Sequence, residues 1–215
     1  MKLYSNDLSP FASRARLAIY AKGLDIEIAA PEGGTKSPEY LALNPMGKVP
    51  ALVTADGSVI PESETILEYL EDAFPQPSLR PASAEDKARA RLLARIGDLY
   101  VMPAGAGLFG QVNPATRDQA VVDATFEKLD EALTTLNQFL GAGPYAVGAE
   151  LTTADCSLAP VMFFMGVFGP AFGKSELLAK HTKVAAYAAH LATNPHVQKV
   201  YGEMQEALAA RMRGG

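Results

Sequence analysis

Cysteine is almost missing from this sequence: Cys156 is the one example in 215 residues. A single thiol excludes an intrachain disulfide framework and any C-x-x-C redox or zinc motif. Histidine is scarce too, with three scattered residues, so a His/Cys metal cluster has no basis and no metal is expected. No run approaches 18 uninterrupted apolar residues, and no basic N-terminal stretch precedes an apolar one. Neither a membrane span nor a secretory signal is therefore expected, which points to a cytoplasmic protein. Positive charge is in deficit: the formal net charge is −5, whereas nucleic acid and anionic membranes both need a dominant basic face. Internal repeats and low-complexity tracts are absent as well.

What is present is an ordinary globular composition, 48% hydrophobic and 20% charged, in a chain long enough for one large domain or two small ones. The whole of the net negative charge falls on residues 1–76, the remainder being balanced. That asymmetry fits two units. In the first, "KLYS" reads as a strand, and residues 10–22 have helical spacing through Phe11, Ala15, Ala18 and Ile19, ending at Gly23. "DIEIA" alternates as a second strand, and "SPEYLAL" opens a short helix at Ser37-Pro38. Residues 50–54 and 58–60 flank the turn "ADG" as a hairpin, and Glu62 to Phe74 places Ile66, Leu67, Leu70 and Phe74 on one helix face. A β-α-β unit followed by a hairpin and a helix is a small α/β domain. "PQPSLRPASAED" reads as a linker, and beyond it helices are expected at 84–102, 116–140, 153–168, 183–193 and 195–211. The resulting division is an α/β domain at 1–76, a linker at 77–83 and an all-α helical domain at 84–215.

Several short segments could carry chemistry. Ser9 precedes Pro10 at a helix start, where its hydroxyl can cap an orphan N–H or hold an anion or thiolate at the positive helix end. Glu62 and Ser63 offer a carboxylate, a hydroxyl and free N–H groups at another helix start, although acidic residues there also serve as plain dipole partners. In "KVPAL", Pro50 opens a strand and cannot donate to the ladder. Thr152 with Asp155 three residues on has capping-box spacing, and Cys156 beside it reads as a small buried residue.

"SPFASRARLAIYAKG", "KSPEYLALNPMGKVPALV", "ESETILEYLED" and "LTTADCSLAPV", in this order and spacing, make the chain resemble the cytosolic glutathione transferases over nearly its whole length. The Ser-Pro-Phe start is similar to the tau class and to the omega class, where cysteine replaces the serine. The "NPMGKVPALV" segment is similar to zeta and other bacterial members. The resemblance implies a thioredoxin-like N-terminal domain, a helical C-terminal domain, a homodimer, and a detoxification-type transferase with glutathione as co-substrate.

It also implies roles residue by residue. Ser9 donates a hydrogen bond to the glutathione sulfur, favouring the thiolate over a thiol whose ordinary pKa is ~8.5. Tyr4, at the end of the first strand, is the competing hydroxyl. Val49 and a cis Pro50 present backbone to the cysteinyl part of glutathione, Glu62 and Ser63 take the γ-glutamyl end, and Lys36 and Lys48 meet the glycine carboxylate. Asp98 reaches the partner subunit's glutathione. Phe11, Tyr100, Met102, Phe109 and Phe163 are candidates for an apolar acceptor pocket in the cleft against the helical domain, or for ordinary core. Conjugation of a hydrophobic electrophile is the leading expectation. A zeta-like maleyl isomerase and a non-catalytic ligand carrier or interaction protein are the alternatives.

Overall fold

Residues 1–213 are described by the structure, a computed structural model. It divides into two compact units, Met1–Arg80 with the segment from Asn194 on, and Pro81–Thr193.

The first unit runs β1 (Lys2–Tyr4), α1 (Pro10–Ala21), β2 (Glu27–Ala29), α2 (Pro38–Leu43), β3 (Ala51–Val53), β4 (Val59–Pro61) and α3 (Ser63–Ala73). The strands form one sheet in the order β2-β1-β3-β4, with β1 parallel to β2 and antiparallel to β3. The β3–β4 pair is the antiparallel hairpin read from "ADG". This is the β-α-β plus hairpin plus helix expected from the sequence, with the first three strands shortened at their ends and the fourth shifted by one residue. Leu3 and Leu52 pair across the sheet and are fully buried. Ala12, Ala15, Leu17 and Ile19 of α1 and Ile66, Leu67 and Leu70 of α3 bury the apolar helix faces. Removing that surface from water is the main driving force for the unit.

Two boundaries differ from the sequence expectation. The expected linker begins at 77, yet the first unit extends to Arg80. A buried ion pair explains this: Lys22 Nζ lies 2.6 Å from Glu71 Oε1 and donates to the Pro77 carbonyl at 2.7 Å. Glu71 in turn accepts from the Leu79 amide and the Ser78 hydroxyl, tethering 77–79 to α1 and α3. The second difference is α9 (Pro195–Arg213), expected in the helical domain but belonging to the first unit, where it packs on α1. Its stripe of Val197, Val200 and Met204 is fully buried.

The second unit is helical: α4 (Ala84–Ile96), α5 (Met102–Gly105), α6 (Gln119–Phe139), α7 (Thr153–Ala171) and α8 (Thr182–Leu191). The single helix expected over 84–102 is interrupted by a π-helical turn at Gly97–Val101, and the Met102 amide donates to the Gly97 carbonyl. Pro103 has no N–H for the carbonyl four residues back, so the ladder opens here. By length and composition Thr153–Ala171 and Ala84–Gln111 would pass for membrane spans, although uninterrupted apolar runs gave no such expectation. α7 instead buries Leu158, Val161, Met162, Phe164, Met165 and Phe168, and Cys156 beside them. Its start carries the capping box read from Thr152 and Asp155. The fully buried Asp155 carboxylate also accepts from the Ala146 amide at 2.8 Å and the Tyr187 hydroxyl at 2.9 Å.

Candidate functional site

In the first unit a cavity of about 110 Å³ gathers Phe11, Lys48, Val49, Pro50, Glu62 and Ser63, six of the residues singled out from sequence. Asn44 and Met46 complete its lining. The starts of α1 and α3 and the loop before β3 supply these groups. Helix starts leave unpaired N–H donors and a partial positive charge, so such a cavity suits an anionic ligand.

Pro50 follows a cis peptide bond and leads directly into β3. The loop in front of it is pinned at the Lys48 carbonyl, which accepts from the Tyr40 hydroxyl at 2.6 Å and the Asn44 side-chain amide at 2.9 Å. Burial raises the pKa of the Tyr40 hydroxyl and keeps it a donor. Gly47 sits at φ +57°, and a Cβ there would lie 2.7 Å from Lys36 Nζ and 3.0 Å from the Thr35 carbonyl. Only glycine permits that turn with Lys36 folded over it. Lys36 therefore lies against this loop without lining the cavity, and both Lys36 and Lys48 are exposed.

Glu62 is the one non-glycine residue at positive φ among the described residues, at 69°. An L-residue held there is strained, and such positions concentrate at ligand clamps. Its side chain is exposed and makes no capping bond. Ser63, buried beside it, accepts from Arg14 at 3.2 Å, and Arg14 also pairs with Glu64 at 2.7 Å. The Arg14 side chain is 2% exposed and lies 5.6 Å from the Phe11 ring centroid.

Ser9 is the N-cap of α1: its hydroxyl accepts from the Ala12 amide at 3.3 Å. It lies two residues before Phe11 and is not part of the cavity lining. Tyr4, the competing hydroxyl, packs edge-to-face on Tyr40 at 5.4 Å between centroids.

The remaining candidates lie in the second unit. Asp98 and Tyr100 are in the π-helical turn, Tyr100 well exposed, whereas Met102 is buried. Phe109 and Phe163 both pack on Phe164, at 5.0 and 5.5 Å between centroids.

Sequence reasoning missed Arg14, Tyr40 and Asn44. A signal for Arg14 was available: it lies three residues after Phe11 and four before Ala18 on a face otherwise apolar, and a charge there must be paired. Tyr40 and Asn44 had no such signal, because their shared acceptor is a backbone carbonyl.

Residues 3–78 match the family model for the glutathione S-transferase N-terminal domain, and residues 119–190 match that for the C-terminal domain. The chain is 30% identical to the maleylacetoacetate isomerase of Pseudomonas aeruginosa, over 86% of this chain and 91% of that protein. It is 28% identical to a glutathione S-transferase of Pseudomonas putida, over 99% of this chain and 96% of that protein. The crystal structure of a maleylacetoacetate isomerase from Methylobacterium extorquens AM1, with malonate and GSH bound, is similar with a TM-score of 0.78 at 27% identity. That match covers 95% of this chain and 97% of the other.

Proposed function

The chain belongs to the glutathione S-transferase family, and from that premise we propose a transferase in which Ser9 activates the glutathione thiol for attack on a hydrophobic electrophile. The observation that carries this reading is the cavity, which joins Lys48, Val49 and Pro50 of the loop before β3 to Glu62 and Ser63 at the start of α3 and Phe11 at the start of α1. Glutathione's γ-glutamyl end carries an ammonium and a carboxylate. Glu62 meets the first, and the Ser63 hydroxyl with the α3 N-terminus meets the second. Neither the amide nor the carbonyl of Val49 has a hydrogen-bond partner among the described residues, which leaves both for the cysteinyl backbone. Lys48 and Lys36, exposed at the same loop, take the glycine carboxylate.

Ser9 acts at the sulfur. Its proton is not needed for the Ala12 cap, where the oxygen accepts, so the hydroxyl remains free to donate to a thiolate. The thiolate then attacks the electrophile as nucleophile, with no histidine base required. Tyr4, packed against Tyr40, is given no catalytic part. Phe11, exposed at the cavity, is assigned to the acceptor. A homodimer in the cytoplasm, with Asp98 reaching the partner subunit's glutathione and detoxification as its role, completes the proposal.

The test is a pH titration of bound glutathione by thiolate absorbance, wild type beside Ser9→Ala. Losing one hydrogen bond to a charged group costs about 1.5–3 kcal/mol, so the apparent pKa should rise by about one to two units. An unchanged titration in Ser9→Ala, with loss of activity in Tyr4→Phe, would transfer the role to Tyr4. Retention on immobilised glutathione without turnover of a generic electrophile would favour a carrier.

A second reading, glutathione-dependent isomerisation of a maleyl-type diketo acid, is favoured by the names of relatives at 30% and 35% identity. Turnover of such an acid in place of aryl halides would select it.

A further inference from the structure

Arg16 is the other buried arginine of α1, with 1% of its side chain exposed, and the site described above does not use it. A buried guanidinium needs its charge paired and its donors largely matched, and in Arg16 both terminal nitrogens have partners whereas Nε has none among the described residues. Its Nη1 pairs with the Asp7 carboxylate and lies 3.4 Å from Glu203 Oε2 of α9. Its Nη2 donates to the Asp7 main-chain carbonyl at 2.9 Å and to the Ser13 hydroxyl at 2.8 Å. Glu203 is fixed in turn by the Tyr20 hydroxyl, which donates to Oε1 at 2.8 Å.

These contacts bracket Ser9. Asp7 lies two residues before it, and the Ser13 amide donates to the Ser9 carbonyl at 2.9 Å. The intervening loop is closed by two bonds to Asn6: the Ser9 amide donates to its carbonyl, and the Leu8 amide to its side-chain oxygen, both at 3.0 Å. Asp7 itself is 59% exposed. The guanidinium, reaching from the interior, grips both its side chain and its backbone. A salt bridge serving helix packing alone would need only Glu203. Holding the main chain of the β1–α1 loop as well constrains where the first turn of α1 begins.

We propose that Arg16, Asp7 and Glu203 are positioning residues for Ser9: α9, acting through the Arg16 guanidinium, holds the loop of residues 6–9 so that the Ser9 hydroxyl is directed at its ligand. The inference rests on the reading of Ser9 as the donor to the glutathione sulfur. It gives the C-terminal helix a part in activation, because orientation of a donor governs the strength of its hydrogen bond.

The experiment uses the full chain with glutathione as the probe and the variants Asp7→Ala, Glu203→Ala and Ser9→Ala. Bound-thiol titration is measured together with amide hydrogen exchange at Leu8, Ser9 and Ala12. Asp7 is exposed and Glu203 stays beside the guanidinium as a counter-charge, so Asp7→Ala is expected to fold with a lowered melting temperature, and, read well below that transition, it is the decisive variant. The expected result is faster exchange at these amides and a rise of about half a pKa unit, or about threefold less thiolate below the pKa. Glu203→Ala should move both in the same direction. Unchanged exchange in Asp7→Ala would overturn the positioning role, whatever Ser9 does. Faster exchange with an unmoved thiol, while Ser9→Ala does move it, would overturn the link from loop to donor. A thiol unmoved in Ser9→Ala would remove the Ser9 reading and this inference with it.

Discussion

Changing Glu71 to Leu tests how the first unit is held together beyond its apolar core. The Lys22 and Glu71 side chains are 0% and 2% exposed, with 2.6 Å between charged atoms, so neither can turn to water when the other is lost. Glu71→Leu strands the ammonium inside the unit, and breaking a buried pair in this way costs about 3–5 kcal/mol. Adding Lys22→Met removes the stranded charge. What then remains is the buried Leu79 amide without its carboxylate acceptor, a penalty of about 1–3 kcal/mol, with the Pro77 carbonyl and the Ser78 hydroxyl, which are only partly buried, also losing a partner. The double variant should therefore be more stable than Glu71→Leu alone, although it carries one more substitution. Urea denaturation followed by circular dichroism, with midpoints and slopes for wild type, both single variants and the double, measures the coupling. A double variant no more stable than Glu71→Leu, or a loss of less than about 1 kcal/mol in that single variant, would show that the pair behaves as a surface salt bridge and refute the reasoning.

Tyr20 predicts an alkaline effect. Burial, and then the hydrogen bond to Glu203, raise its pKa above the ordinary 10.0. The protonated form is thus favoured by folding: its contribution is complete below pH 10 and is lost as pH rises toward the folded value, because the unfolded chain ionises first. The urea midpoint should fall more steeply above pH 10 in wild type than in Tyr20→Phe, and equal slopes would contradict this. Burial raises the Tyr201 pKa too, so in spectrophotometric titration Tyr20 and Tyr201 should ionise late among the eight tyrosines. In the second unit, Asp155→Ala strips the acceptor from the Ala146 and Thr152 amides and from the Thr152 and Tyr187 hydroxyls. Two stranded backbone donors, at about 1–3 kcal/mol each, set a loss of about 2–6 kcal/mol in thermal or urea unfolding. Tyr187→Phe, which leaves those amides paired, should cost about 1 kcal/mol.

Much of this was legible in the chain before folding. Ser9-Pro10 and Ser37-Pro38 mark helix starts because a hydroxyl cap and a proline at the first turn are local chemistry, and both serines cap as read. The "ADG" hairpin and the Thr152–Asp155 box are legible for the same reason. Six of the candidate site residues come together in one cavity because each sits at an element boundary that its own neighbours define. Less legible was everything that depends on a distant partner. Arg14 and Arg16 look alike in "SRAR", yet one faces Ser63 and Glu64 while the other faces Asp7 and Glu203. The π-helical turn at Gly97–Val101 is intermediate, since Pro103 announces a disturbed helix without saying whether it kinks, ends or widens.

The sequence by itself determined the elements of each unit, their order, and the family pattern carried by four short segments. Those are set by periodicity, capping and turn chemistry within a few residues. Only the tertiary structure decided that α9 packs with the first unit and that this unit extends through Arg80. It also decided that the Lys48 carbonyl is pinned by Tyr40 and Asn44. An apolar stripe such as Val197, Val200 and Met204 specifies that a helix face will be buried but not against which helix. A charged side chain likewise specifies that it needs a partner, and only packing brings that partner within hydrogen-bonding distance.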